Sequence, residues 1–297
     1  MTILVKFSII LVIVLWASAF VGIRVGLRDY SPEGLALLRF IIASILMGIV
    51  YWRLPNRRPF HLGDTVSLFL IGALGVGIYH IALNYGEITV SSGMASFIIS
   101  QSPIITALLA LIFLGEQLNF LRVIGFFVSL IGIILITVGE EDGFKWDPGV
   151  GYIVISAIAG SIFSVLQKPF LRKYHPIEVT TFLLWGATLF LSFFIVDLKN
   201  DLSHASLLTT SAVIYLGIFP AAVGYIAWSY ILSQVPASRA VSYLYCLPFV
   251  ATLLGWICLG EVPAIIALLG GIFAITGVWI VNHSYRMPKI TQDFSSS

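Results

Sequence analysis

Apolar stretches close to twenty residues long follow one another from end to end of this chain. They fall at about 7–26, 34–52, 65–86, 93–114, 121–138, 150–170, 178–196, 210–232, 240–259 and 264–282. A helix rises about 1.5 Å per residue, so about twenty apolar residues cross the hydrocarbon of a bilayer. Lipid offers no partner to backbone N–H and C=O groups, which a helix satisfies within itself. Composition closes off the soluble alternative. Of 297 residues 59% are hydrophobic and 10% charged, where soluble domains carry about 25% charged residues. The expectation is an all-α polytopic membrane protein of ten transmembrane helices, with the lipid bilayer as its first partner.

The formal net charge is only +2 and no basic run is interleaved with aromatics, so nucleic acid is not an expected partner. Cys246 and Cys258 share one expected helix, about 18 Å apart and out of disulfide reach. No His/Cys set has metal-ligand spacing, and neither a metal nor a cofactor is expected. Lys6, the run after it and "WASAF" (16–20) imitate a secretory signal with a small-x-small cleavage site.

Lys and Arg collect on the cytoplasmic side of membrane proteins. With the N-terminus inside, Lys6, Arg53, Arg57, Arg58, Arg122, Lys168, Arg172, Lys173, Arg239, Arg286 and Lys289 lie at inner ends or loops. Only Arg24, Arg28, Arg39, Lys145 and Lys199 lie at outer ones. Both termini are therefore expected in the cytoplasm, with 286–297 a disordered tail.

The chain also repeats itself. "PIITALLALIFLGE" (103–116) and "PFVATLLGWICLGE" (248–261) share the first Pro, the final Gly-Glu and several Leu and Ile between. The match extends to "RDYSPEGLALL" (28–38) over "RKYHPIEVTTF" (172–182), and to Gly125 and Gly132 over Gly270 and Gly277. Residues 1–140 and 148–285 thus read as two units, spans 1–5 and spans 6–10. Five is odd, so the second unit enters the membrane from the opposite side. Inverted repeats of this kind build secondary transporters, with the substrate site between the halves. Cleavage after "WASAF" would remove the mate of span 6, so span 1 is expected to stay.

With ten spans in two units, "LWASAFVGIRVGLRDYSPEGLALLRF" (15–40) opening the first, and Pro-(x)11-Gly-Glu closing spans 4 and 9, the chain resembles the EamA-type transporters of the drug/metabolite transporter superfamily over essentially its whole length. The resemblance implies a multi-pass carrier of the bacterial inner membrane. Its cargo would be small metabolites, often amino acids or related amphipathic compounds, moved by an exporter or exchanger. Family members commonly carry an arginine at the position of Arg39.

Polar groups inside spans are costly and face the bundle interior or a water-filled cavity. His80, Asn84 and Glu87 share one face of span 3, echoed in span 8 by Tyr225, Ser229 and Leu232. They read either as cavity lining or as interhelical hydrogen bonding. His80 is the one histidine deep in a span, and imidazole titrates near neutral pH. Ser92, Ser96 and Ser100 in span 4 read as a small packing face, and Gln101 beside them as the better ligand. Trp16, Phe20 and Arg24 align on span 1, answered on span 6 by Gly160, Ser164 and Lys168. Arg24 and Lys168 either steer an anionic group into opposite mouths of the pathway or snorkel to headgroups. Trp185, Tyr225, Trp228 and Tyr243 lie mid-span and are candidates for an aromatic-lined pocket. Arg39 is read as structural, pairing or snorkelling outward, with substrate contact as the alternative. Pro103 and Pro248 read as flexing points, and Glu116 and Glu261 as helix-end pins.

Among the expected spans none holds an Asp or Glu at mid-membrane, and span 1 lacks the proton-binding glutamate of small multidrug antiporters. A histidine-based proton step and uncoupled exchange both stay open. The expected function is a secondary transporter of a small molecule, monomeric or homodimeric. A lipid flippase or an accessory subunit of a membrane complex is the alternative. No paired acids, metal spacing or Ser-His-Asp set favours an enzyme.

Overall fold

The computed structural model describes residues 1–55, 57, 61–90, 92–117, 119–138, 147–259 and 264–284, and among these it is helical with no strand. Span 1 is α1 (Ile3–Gly26) and span 2 is α2 (Pro32–Arg53). Span 3 joins α3 (Leu62–Ile71), a π-helical turn (Gly72–Gly77) and α4 (Ile78–Thr89). Span 4 comprises α5 (Ser92–Ile99) and α6 (Ser102–Leu114), and span 5 is α7 (Phe120–Val138). Span 6 is α8 (Gly149–Leu166) and span 7 is α9 (Pro176–Leu191), continued by α10 (Ile195–His204). Span 8 joins α11 (Leu207–Leu216), a second π-helical turn (Gly217–Val223) and α12 (Gly224–Gln234). Span 9 is α13 (Ala237–Ser242), a 3-10 turn (Tyr243–Cys246) and α14 (Leu247–Leu259), and span 10 is α15 (Ile265–His283). Nine helical runs among the described residues have the length and apolarity to cross a bilayer, and Phe120–Ile136 adds a shorter tenth.

Local chemistry sets the boundaries. Ser31 begins α2 by accepting the Gly34 N–H, with Pro32 supplying a preset φ at the first helical position. At the matching point of the second half, His175 begins α9: its Nδ1 accepts the Ile177 N–H, and Glu178 accepts the His175 N–H. Gly115 ends α6 at φ 65°, a left-handed conformation that side chains resist.

Matching positions of the two halves touch each other. In spans 5 and 10, the Cβ-free faces of Gly125 and Gly132 meet those of Gly277 and Gly270; a Cβ on Gly132 would overlap the Ala274 backbone. Ser129 Oγ donates across this seam to the Ala274 carbonyl at 3.0 Å. In spans 2 and 7, the Ser44 and Thr188 hydroxyls lie 2.7 Å apart. Small residues let membrane helices approach and hydrogen-bond where no hydrophobic force draws them together.

Spans 4 and 9 differ from continuous, proline-flexed helices. Span 4 breaks at Ser100–Gln101, and Pro103 sits in the first turn of α6, where its missing N–H costs no helical bond. Span 9 narrows to the 3-10 turn just before Pro248. Residues 197–204, beyond the expected end of span 7, are helical as part of α10, with Asp197, Lys199 and Asp201 on a largely exposed turn pattern. Glu261 and the tail 286–297 lie outside the described residues.

Candidate functional site

A cavity opens where the two halves meet. Its wall takes Trp16 and Phe20 from α1, Arg39 from α2, Tyr79 and His80 from α4, Ser102 and Thr106 from α6, Phe163 from α8, Tyr225 from α12 and Leu247 from α14. Its volume is about 70 Å³. Two aromatic-on-glycine contacts shape it. Trp16 packs on Gly224, its Nε1 donating to the Pro220 carbonyl at 3.1 Å, and Tyr79 packs on Gly160. Trp16 matches Gly160 in the repeat, and Tyr79 matches Gly224, so one contact is the symmetry image of the other.

The polar part of the wall is a short chain. His80 Nε2 lies 2.9 Å from the Tyr225 hydroxyl, and His80 Nδ1 lies 3.4 Å from Arg39 Nη1. These two residues, His80 and Tyr225, are repeat mates that meet where the halves join. A guanidinium only donates, so Nδ1 is the accepting nitrogen and Nε2–H donates to the Tyr225 oxygen. The Tyr225 proton is left over. Arg39 is 2% exposed and its Nε–H has no partner. The outward snorkelling expected of it does not occur, because α2 turns its side chain into the cavity wall. Glu87, 1% exposed on α4, acts on Arg39 through space.

Other expected residues lie elsewhere. Trp228 packs beneath Trp16 with ring centroids 5.3 Å apart, behind the wall. Asn84 Nδ2 donates to the Pro32 carbonyl at 2.8 Å, and Gln101 Nε2 to the Phe97 carbonyl at 3.1 Å; neither borders the cavity. Ser164 is buried on α8 off the wall. Trp185 belongs to the seam of spans 2 and 7, where Nε1 donates to the Ser44 carbonyl at 3.2 Å. Tyr243 sits near the chain start, its hydroxyl 2.6 Å from Asn282 Oδ1 and 3.3 Å from Met1 Sδ. Among the described residues no three His, Cys, Asp or Glu side chains converge as metal ligands would. Tyr79 and Thr106 were not singled out from sequence. Thr106 was legible as the one hydroxyl beyond Ser102 in an otherwise apolar half-helix.

The two cations at matching positions make matching contacts. Arg24 Nη1 donates to the Val90 carbonyl at 3.0 Å, closing the end of α4. Lys168 Nζ donates to the Leu232 and Val235 carbonyls at 2.7 and 2.5 Å, closing the end of α12. Neither borders the central cavity. Glu116 accepts the Ala237 and Ser238 N–H groups at 2.6 and 3.1 Å, and the Ser238 hydroxyl, at the start of α13.

The EamA-like transporter family model matches residues 4–138 and again 147–283. The chain belongs to the EamA-like transporter family. It is 39% identical over 277 residues to an uncharacterized transporter, YdfC, of Bacillus subtilis, covering 93% of this chain and 90% of that one. It is 33% identical over 275 residues to a probable terminal-alkyne amino-acid exporter of Streptantibioticus cattleyicolor, covering 93% and 92%. It is 29% identical over 299 residues to the uncharacterized inner membrane transporter YedA of Escherichia coli, covering 95% and 94%. A solved crystal structure shares its fold with a TM-score of 0.73 at 21% identity, covering 94% of this chain and 96% of that one. This EamA-family chain is a multi-pass protein of the inner membrane, and its family transports small molecules.

Proposed function

We propose that this EamA-family protein exports or exchanges a small amphipathic metabolite, an amino acid or a close relative, by alternating access. The two five-span units, 1–140 and 148–285, rock about the central cavity with both termini in the cytoplasm. One observation carries the reading: the cavity lies between the halves, where His80 of one meets its mate Tyr225 of the other. A site on that junction stays in place while the openings on either side alternate. The relative named as an amino-acid exporter supports the cargo class. A flippase would call for a lipid-wide lateral groove, whereas this cavity is small.

Export is tested in cells loaded with a labelled amino-acid panel. His80→Ala and Trp16→Ala should abolish export of whichever solute the wild type moves, with membrane insertion unchanged. Gln101→Ala, at the break in span 4, should reduce it. Full export by both His80→Ala and Trp16→Ala would rule out this cavity as the site.

A further inference from the structure

The polar groups of the cavity wall that remain unengaged can all donate, and one of them, on Arg39, can only donate. Arg39 Nε–H has no partner, and the Tyr225 proton is freed because its oxygen takes the His80 hydrogen bond. Thr106 is 0% exposed and its Oγ1 also lacks a partner. A helical threonine ordinarily donates back to the carbonyl four residues earlier. Here Thr106 makes no such bond to Ser102 O, which also lies 3.2 Å from the Ser161 hydroxyl, although that hydroxyl is closer to the Ala157 carbonyl at 2.8 Å. Thr106 and Ser102 stand on the first turns of α6, whose N-terminus carries the positive end of the helix dipole. Among the described residues no Asp or Glu borders the cavity. Buried donors without acceptors are costly, and a buried cation more so.

The repeat sharpens this. Arg39, Ser102 and Thr106 correspond to Leu183, Leu247 and Ala251 in the second unit. Every one of these polar positions has an apolar mate. Of the polar side chains on the wall, only Tyr225 comes from the second unit; Phe163, Leu244 and Leu247 give that side an apolar surface.

We infer that the cavity holds its cargo by a carboxylate, bound between Arg39, Thr106 and the Tyr225 hydroxyl, with the apolar part of the molecule turned toward Phe163 and Leu247. This rests on the cavity being the transport site. A carboxylate supplies acceptors only, so it suits each leftover donor, and it gives Arg39 a directly bonded anion beside the through-space charge of Glu87. A carboxamide replaces one of those acceptors with a donor and a decarboxylated amine supplies neither, while the ammonium is common to acid, amide and amine and does not distinguish them.

The test is ligand-dependent thermal stabilisation of the purified full chain in lipid nanodiscs. The probes are L-alanine, L-valine and L-propargylglycine, each beside its carboxamide and its decarboxylated amine. At least one acid should raise the Tm, with its amide and amine binding roughly tenfold more weakly or worse. Thr106→Val keeps the volume and should weaken that acid several-fold, leave the ligand-free Tm within a degree or two and erase most of the acid-over-amide preference. Arg39→Gln should remove the preference altogether; Thr106→Val carries the test if that variant fails to fold. Equal binding of acid and amide, preference for the amine, or no stabilisation by any of the acids would overturn the carboxylate assignment. Failure here is separable from failure of the transport reading. Amide or amine binding that His80→Ala abolishes would leave the cavity as the site, with a different head group. Export that ignores His80→Ala and Trp16→Ala would remove the site itself.

Discussion

At the residue scale, the clearest case is a pair of charges doing one job twice. Arg24 on Val90 and Lys168 on Leu232 and Val235 each satisfy carbonyls left open at a helix end. Arg24→Gln and Lys168→Met should each lower stability by about 1–3 kcal/mol, the cost of an unmet buried polar group. Thermal unfolding in detergent measures it. Export of anionic and neutral solutes should fall in equal proportion if the contacts are structural, whereas selective loss of anionic solutes would restore a steering role. Asp29 gives a pH signature outside the membrane. The Ser206 N–H first, then the Thr209 hydroxyl, hold its carboxyl below the ordinary 3.8. A depressed folded-state pKa adds stability above the unfolded value and loses it as pH falls through the folded one. Stability should therefore drop as pH is taken below 3.8, and Asp29→Asn should flatten that part of the profile.

At the element scale, packing separates glycines by what surrounds them. Gly132 and Gly270 face each other's backbone across spans 5 and 10, while nothing lies within 4 Å of a Cβ on Gly151. Gly132→Val or Gly270→Val should destabilise by about 1–3 kcal/mol or more through forced separation of the helices. Gly151→Ala, at an exposed position of α8, should be neutral or stabilising by up to about 1 kcal/mol. Chemical denaturation of the three variants distinguishes them. The seven-residue spacing of Gly125–Gly132 and Gly270–Gly277 announced this seam in the sequence. The break at Ser100–Gln101 was less visible. Pro103 marks a disturbance, but a proline is tolerated within a kinked membrane helix and equally in the first turn of a new one, and only the backbone decides. The π-helical turns at Gly72–Gly77 and Gly217–Val223 left no signal beyond Gly and Pro220, because one extra residue per turn shifts no hydrophobic pattern in a run apolar on every side.

For the whole molecule, the halves are tied at one end by Glu116. It belongs to the first unit, its hydrogen-bond partners begin α13 of the second, and Tyr243 nearby meets Met1. Opening that end requires these charge-assisted bonds to break. Glu116→Ala should shift the balance toward the open form roughly tenfold or more. The readout is maleimide labelling of Val241→Cys from the side that bears the termini, in a background with Cys246 and Cys258 replaced by serine. An unchanged labelling rate would reduce Glu116 to a helix cap. Sequence alone revealed the ten spans, their duplication and the His80–Tyr225 correspondence, all carried by periodicity and repeat. It left open where Trp185, Tyr243 and Arg39 point, because an aromatic or a cation within a lipid-soluble run carries no mark of which way its helix is turned.

A cavity built from two equal copies would have no front or back. A guest could lie in it either way round with the same energy, and rocking would exchange one pose for its mirror. The unmatched pairs, Arg39 against Leu183 and Thr106 against Ala251, remove that freedom. One end becomes wet and charged, the other oily. Cargo held by a carboxylate, as proposed, would keep one heading on both sides of the exchange and would not need to turn round before leaving.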